Sequence, residues 1–437
     1  MRSTALIFIS LLFCGFLFAQ NDKRVNSKIA VGKNMTVQYS NPNLPLVEPH
    51  LAVNPKNNDH MVIAAMVYDS ASTSDSRTHF VIFATKDNGK TWKQTDLKMM
   101  VAFDPWVAVK NNNDVMLVGL VGLENNTRNF LGYYTSDDGG FSWSKEVVNL
   151  GWGHDHPTMI IDHKNNDRLY LLSSLVKRNE AKQPISYAYL NYTDDWKKFQ
   201  DSAALFATGT GSSNTLTAAI DNGTIVLPYI EYTVVNNAAS TPSIKIIHAN
   251  SGGIFSGPFP LTEKLGIRKG FPVLAIDTIG SYKGRRYFVK NSGSEPTRSQ
   301  GLFLQYSDDA GRSWSDDIRI DHHEAKEKFI RTAAIAVNKK GVLGVAWVDR
   351  RNDSSLKKND IYFTISTDGG KTFHQEVRVT AVNSDPLNTA NAKAAERHFS
   401  GGDYMGCVGK PDGSFQLVWA DSRSGVFQLY MSNIKIE

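Results

Sequence analysis

The sequence predicts an all-β propeller: seven four-stranded blades about an axis, six being the alternative, with the N-terminal strand completing the last blade. Three observations carry this. An eight-residue phrase recurs at residues 85–92 (TKDNGKTW), 136–143 (SDDGGFSW), 307–314 (SDDAGRSW) and 366–373 (STDGGKTF). Its terminal aromatics, with decayed copies ending at 199 and 255, stand at 92, 143, 199, 255, 314 and 373, in steps of 51, 56, 56, 59 and 59 residues. That is the length of one slightly enlarged four-stranded blade. Finally, the chain ends on a unit with only three strands.

Each phrase follows an alternating apolar run and reads as strand, tight turn, strand. The skeleton is Ser/Thr-x-Asp-x-Gly-x-Ser/Thr-Trp/Phe. Its aspartate (Asp87, Asp138, Asp309, Asp368) can accept backbone N–H bonds that have no ladder partner. Its glycine supplies a positive φ. Its aromatic returns to the apolar side as a core anchor. These four aspartates are expected to be structural.

The units begin at Pro49, Asp104, Asp155, near Asn214, at Phe271 and at Ile330. The third and fourth carry decayed phrases at residues 191–199 and around 251–255. The seventh unit offers strands at 404–409, 415–420 and 426–433. Residues 35–40 are expected to supply its fourth strand and remove both free sheet edges.

The N-terminus is expected to be a signal peptide, residues 1–19, on a chain that is secreted or periplasmic. Arg2 precedes an apolar run over 5–18 that is too short to span a bilayer, and residues 17–19 offer a cleavage site. Residues 20–437 then form a single propeller domain. The two cysteines are Cys14, inside that run, and Cys407, so no internal disulfide is expected. Net charge is +5 with the basic residues scattered, a bias toward anionic partners without a nucleic-acid signature. No membrane span, no cofactor and a monomer are expected.

Loop lengths choose the working face. The Asn-rich turns at 56–59 and 164–167 and the four octets are short, and they emerge together. The long connections (69–78, 179–185, 231–243, 291–300, 349–360 and 380–403) emerge opposite, where function tends to sit. Polar residues gather there, where inner strands begin: Glu48, His50, Asp104, Trp106, His154, Asp155, His156, Arg268, Lys269, Arg331, Asp403 and Tyr404. A second set marks the ends of second strands: Tyr68, Asp69, Glu124, Lys177, Arg178, Glu231, Tyr232, Lys290, Asp349, Arg350, Arg351, Asp421 and Arg423. Arginine forks suit a carboxylate or sulfate, and a nearby carboxyl can act as general acid. The anionic-sugar reading takes Glu231, Asp155 or Asp403 with Tyr404 as catalytic groups. It places Arg178, Arg331, Arg350, Arg423 and Trp106 on the substrate. Asp349 and Asp421 have a plainer reading as Trp-x-Asp-x-Arg ion pairs that tie loop to strand. His154 and His156, as alternate strand residues, would face one way, toward the channel. No further ligand is fixed by their spacing, so no metal site is expected. A lyase would instead use His154 or His156 with Tyr232 and Arg178. A non-catalytic glycan- or protein-binding propeller is the third possibility.

The octet is similar to the Asp-box, the bacterial neuraminidase repeat, and the chain resembles the sialidase-superfamily propellers. The phrases FPVLAID, YFTISTDGGKTF, GGDYMG and VWADSRSGV resemble those of secreted bacterial sialidase-like proteins. The resemblance implies a glycan-active site. The family pattern is three arginines, an Asp acid/base and a Tyr nucleophile activated by Glu, and it maps Tyr404, Glu231 and Arg331 onto those roles. Where the family's first inner strand carries an Arg-Ile-Pro arginine, this chain has Glu48-Pro49-His50-Leu51. That departure argues against exo-sialidase activity.

Overall fold

The structure, a computed structural model, describes residues 29–69, 77–97, 101–122, 129–209, 212–215, 217–232, 234–235, 238–239, 243–262, 273–292, 301–323, 330–389 and 391–437. The expected signal peptide, Glu124, Arg268 and Lys269 lie outside these residues, as do the side chains of Tyr232 and its neighbours up to 242. No helix among the described residues is long and apolar enough to cross a membrane.

Seven antiparallel sheets form the blades. Their inner strands are Leu46–Val53, Val101–Val109, His154–Asp162, the pair Ser212–Thr215 and Ala219–Asp221, Val273–Ile276, Ile330–Val337 and Gly406–Gly409. The six-bladed alternative is thereby excluded. Ring closure occurs as the sequence suggests, through Met35–Val37 on the last strand, Gln428–Ile436. The closing segment is longer than expected, because Ile29–Val31 pairs with that same strand.

The apolar residues do not form one core. They form seven clusters, and each joins two neighbouring blades. The first and last blades share the cluster containing Val37, Val67, Val418 and Met431. A blade buries its faces only against its neighbours, so the ring is stable when closed.

The octets are tied as expected. Asp138 accepts from Phe141 N and Ser142 N at 2.9 Å, Ser136 Oγ at 2.9 Å and Ser142 Oγ at 2.6 Å. The Asp87, Asp309 and Asp368 turns repeat this pattern. Trp92, Trp143, Trp314 and Phe373 pack into four of the inter-blade clusters. On this face octets bond to the turns of adjoining blades, as in His60 Nε2 with Gly139 O at 2.9 Å and Lys410 Nζ with Asn88 Oδ1 at 2.6 Å.

Candidate functional site

The opposite face holds a backbone feature shared by several inner strands. In blades one, two, three and six the strand carries one extra residue near its start, a β-bulge, at 47–50, 103–106, 155–158 and 331–333. Each bulge holds a non-glycine residue at positive φ: Glu48 (55°), Asp104 (55°), His156 (48°) and Thr332 (41°). Such backbone costs about 1–3 kcal/mol per residue and clusters at functional sites, where bulges re-aim side chains. In the first three blades the next residue is proline, tolerated because a bulge has no ladder bond there to donate. The phrases Glu48-Pro49, Asp104-Pro105 and His156-Pro157 are the sequence signal of these bulges.

The bulges converge on the channel mouth. Below it lies a cavity of about 200 Å³. His50, Trp106, His156, Asp403 and Tyr404 contribute its polar and aromatic lining, and Leu51, Leu274, Ile335 and Met405 its apolar lining. Tyr404 is central: its hydroxyl meets His156 Nδ1 at 2.8 Å, and Trp106 packs edge-on to its ring at 6.1 Å between centroids. Trp106 is stacked on His50, 3.9 Å away, and donates from Nε1 to Met159 O. His50 Nδ1 accepts from Val107 N at 3.3 Å, and burial pushes this imidazole down to about 3, so it is neutral.

Carboxylates crowd the same point. Glu48 is 2% exposed and Asp104 is 8% exposed. Burial, then the charges of Asp104 and Asp403, push Glu48 well above its usual range. Burial raises Asp104 to about 6 against the opposing pull of His156. Burial and these same carboxylates hold Tyr404 as a neutral phenol. Oxygens of Asp104 and Asp155 and a nitrogen of His156 lie within 4.8 Å of one another.

The long connection before Asp403 supplies residues that sequence reasoning did not single out. It contains the short helix Ala392–Arg397. His398 Nε2 is 3.1 Å from Tyr68 Oη, and its Nδ1 is 3.4 Å from Glu48 Oε1. Arg331 and Arg350 both lie over the Phe399 ring, at 4.3 and 5.4 Å. Nothing in the local sequence marks these residues, because their role depends on a fold-back from a loop of irregular structure.

The arginines divide. Arg331 stands beside Asp403, its Nε without a hydrogen-bond partner, and burial lowers it to about 10. Arg350 is occupied by Asn359 Oδ1, Leu356 O and Phe399 O. Arg423 is clamped by Asp421, which also accepts from Trp419 Nε1, and lies 4.4 Å over the Tyr430 ring. Asp349, Arg351, Trp347 and Tyr362 repeat that unit. This is the plainer ion-pair reading, and it leaves Arg423 no free fork for a substrate. Arg178 is exposed and bonds Lys182 O in its own hairpin. Glu231 pairs with Lys245 Nζ at 2.6 Å, while Tyr404 pairs with His156.

The two histidines of the third blade do not face one way. His154 is buried, bonded through Nδ1 to Ser173 Oγ at 2.8 Å and set edge-on to Tyr189, and burial lowers it to about 4. The bulge at 155–158 breaks the alternation that would have aligned it with His156.

No family model matches the sequence, and no curated protein matches it. Solved structures do. The chain superposes on an ulvan lyase, described as a new family of polysaccharide lyase, with a TM-score of 0.53 at 11% identity, over 91% of this chain and 95% of that one. An α-L-arabinofuranosidase from Fusarium graminearum gives 0.46 at 14% identity, over 77% of this chain and 98% of that one. Trypanosoma rangeli sialidase gives 0.44 at 11% identity, over 94% of this chain and 60% of that one. The first of these likenesses supports the shared fold.

Proposed function

We propose that this is a secreted carbohydrate-active enzyme that hydrolyses glycosidic bonds in an anionic polysaccharide at the channel mouth. One observation carries the reading: the half-buried phenol of Tyr404, bonded to His156 at 2.8 Å, opens onto the cavity among carboxylates. Cleavage needs a proton delivered to the departing glycosidic oxygen. The Tyr404 hydroxyl supplies that proton, and His156, with Nδ1 protonated 2.8 Å away, orients it and stabilises the phenolate left behind. Asp403, exposed at the same rim, is the carboxylate placed to activate water. Arg331 is the cation available to an acidic substituent, and Trp106 offers an aromatic edge to the sugar. The likeness to the ulvan lyase, a polysaccharide lyase, lends support to a carbohydrate substrate.

Elimination is the second reading, because a His/Tyr pair with one nearby arginine is also what a polysaccharide lyase needs. Purified protein offered sialosides and a panel of acidic polysaccharides separates the two: hydrolysis releases saturated reducing ends, elimination an ultraviolet-absorbing unsaturated uronate. Absence of any product, together with glycan retention unchanged by Arg331→Ala in affinity electrophoresis, overturns both.

A further inference from the structure

The proposed reaction leaves the carboxylates of Glu48, Asp104 and Asp155 unused. Glu48, Asp104 and His156 come from the same bulged position of three consecutive blades, and Asp155 adjoins the third. Three carboxylates and an imidazole are thus presented at one end of the channel by strained backbone. Among the described residues, Arg331 acts on Asp403 and Arg397 on Glu48.

We propose that Asp104, Asp155 and His156, with Glu48 beside them, bind one divalent transition-metal ion, Mn²⁺ or Zn²⁺, at the channel mouth.

The donor atoms of Asp104, Asp155 and His156 already lie within 4.8 Å of one another. An ion with bonds of about 2.1 Å spans about 4.2 Å between opposite ligands, so a small inward rotation of these side chains brings them onto one centre. Glu48 gives independent support. It is 2% exposed, its Oε2 has no hydrogen-bond partner, and the strongest charge acting on it is Asp104. A buried carboxylate oxygen without a donor is costly, and a cation held on the neighbouring Asp104 would offset the negative charge that acts on it. His156 is also held as a ligand should be. Its Nδ1 meets Tyr404 Oη at 2.8 Å, and its Nε2 lies 3.7 Å from Asp155 Oδ2. Ligating histidines are oriented through their other ring nitrogen in this way. An imidazole among carboxylates favours Mn²⁺ or Zn²⁺ over Ca²⁺.

The site is tested without reference to turnover, so its failure is separate from failure of the proposed reaction. Chelator-treated full-length protein is titrated by calorimetry with MnCl₂, ZnCl₂ and CaCl₂. One Mn²⁺ or Zn²⁺ per chain is expected. Asp155→Asn, at a half-exposed side chain, should weaken binding at least about tenfold. Tyr404→Phe should weaken it by about tenfold through the histidine, and His156→Ala should abolish it. Should His156→Ala fail to fold, Asp155→Asn decides. No binding of either ion, binding indifferent to Asp155→Asn, or binding of Ca²⁺ alone overturns the proposal.

Discussion

The two ends of the propeller use the same side chain in opposite ways. At the hairpin end, Asp309 is surrounded by donors: Arg312 N at 3.0 Å, Ser313 N at 2.9 Å, Ser313 Oγ at 2.6 Å and Ser307 Oγ at 2.9 Å. Those bonds outweigh its burial and bring it down to about 2. At the mouth, Asp104 is buried without such a shell and rises to about 6. An octet spends its residues satisfying a carboxylate, whereas a bulge spends backbone strain exposing one to its neighbours. The first arrangement stabilises a turn. The second holds a charge poised for a ligand or a reaction.

The comparison sharpens if the donor count, and not the face, decides. Asp421 is 1% exposed on the mouth side, yet it accepts from Trp419 Nε1 and from Arg423 N and Nε. Asp421→Ala leaves Arg423 and the indole N–H unpaired. It should cost about 3–5 kcal/mol, read from the urea midpoint. A change below about 1 kcal/mol would remove the tether reading, and with it the reason to set Arg423 aside.

Asp104→Asn should act in the opposite direction. In chelator-treated protein the substitution removes a charge that burial opposes, and it should stabilise by up to about 3 kcal/mol at neutral pH. The sign follows from the raised value. The wild-type side chain contributes its full stability below 3.8, its ordinary value, and loses it as pH rises through about 6. The difference between variant and wild type should therefore open across that window and then level. With Mn²⁺ or Zn²⁺ present the order should reverse, because the wild type gains a ligand that the variant lacks. A variant less stable than wild type in chelator would break the contrast between the two ends.

Tyr404→Phe tests the mouth as chemistry. Removing the hydroxyl should lower turnover of a responsive polysaccharide about 100-fold or more, equivalent to about 2.7 kcal/mol. The unfolding midpoint should move far less, since the ring and its contact with Trp106 are kept. Comparable loss of both would place Tyr404 with the structural residues.

The architecture was legible because repeats are local. Strand, turn and anchoring aromatic recur in the text of the chain, and seven inter-blade cores follow from seven units, six of them carrying the phrase. Site residues at the inner-strand starts were legible as a set, since Glu48, Asp104, His156 and Asp403 all stand where inner strands begin. Their directions were not. A strict period of two aims His154 and His156 together, and the single extra residue at 155–158 separates them. The dipeptides Glu48-Pro49, Asp104-Pro105 and His156-Pro157 held that information, because proline rarely sits inside a paired strand. Roles fixed by a fold-back, such as Phe399 beneath two arginines, have no counterpart in local sequence.

The smallest effect lies at the hairpin end. Asp309→Ala should cost about 1–2 kcal/mol, the scale of losing a side-chain cap on exposed backbone N–H groups, because water replaces much of what the carboxylate gave. Its pH dependence should mirror that of Asp104. A lowered carboxylate contributes stability above its ordinary value of 3.8 and loses it as pH falls through about 2. Wild type and variant should therefore differ at neutral pH and converge in acid, whereas the Asp104 pair converges in acid with the variant ahead at neutral pH. Measured as urea midpoints from pH 2 to 7, the two curves should carry opposite signs at the neutral end. The same sign for both would mean that the octet aspartate gains nothing from its four donors.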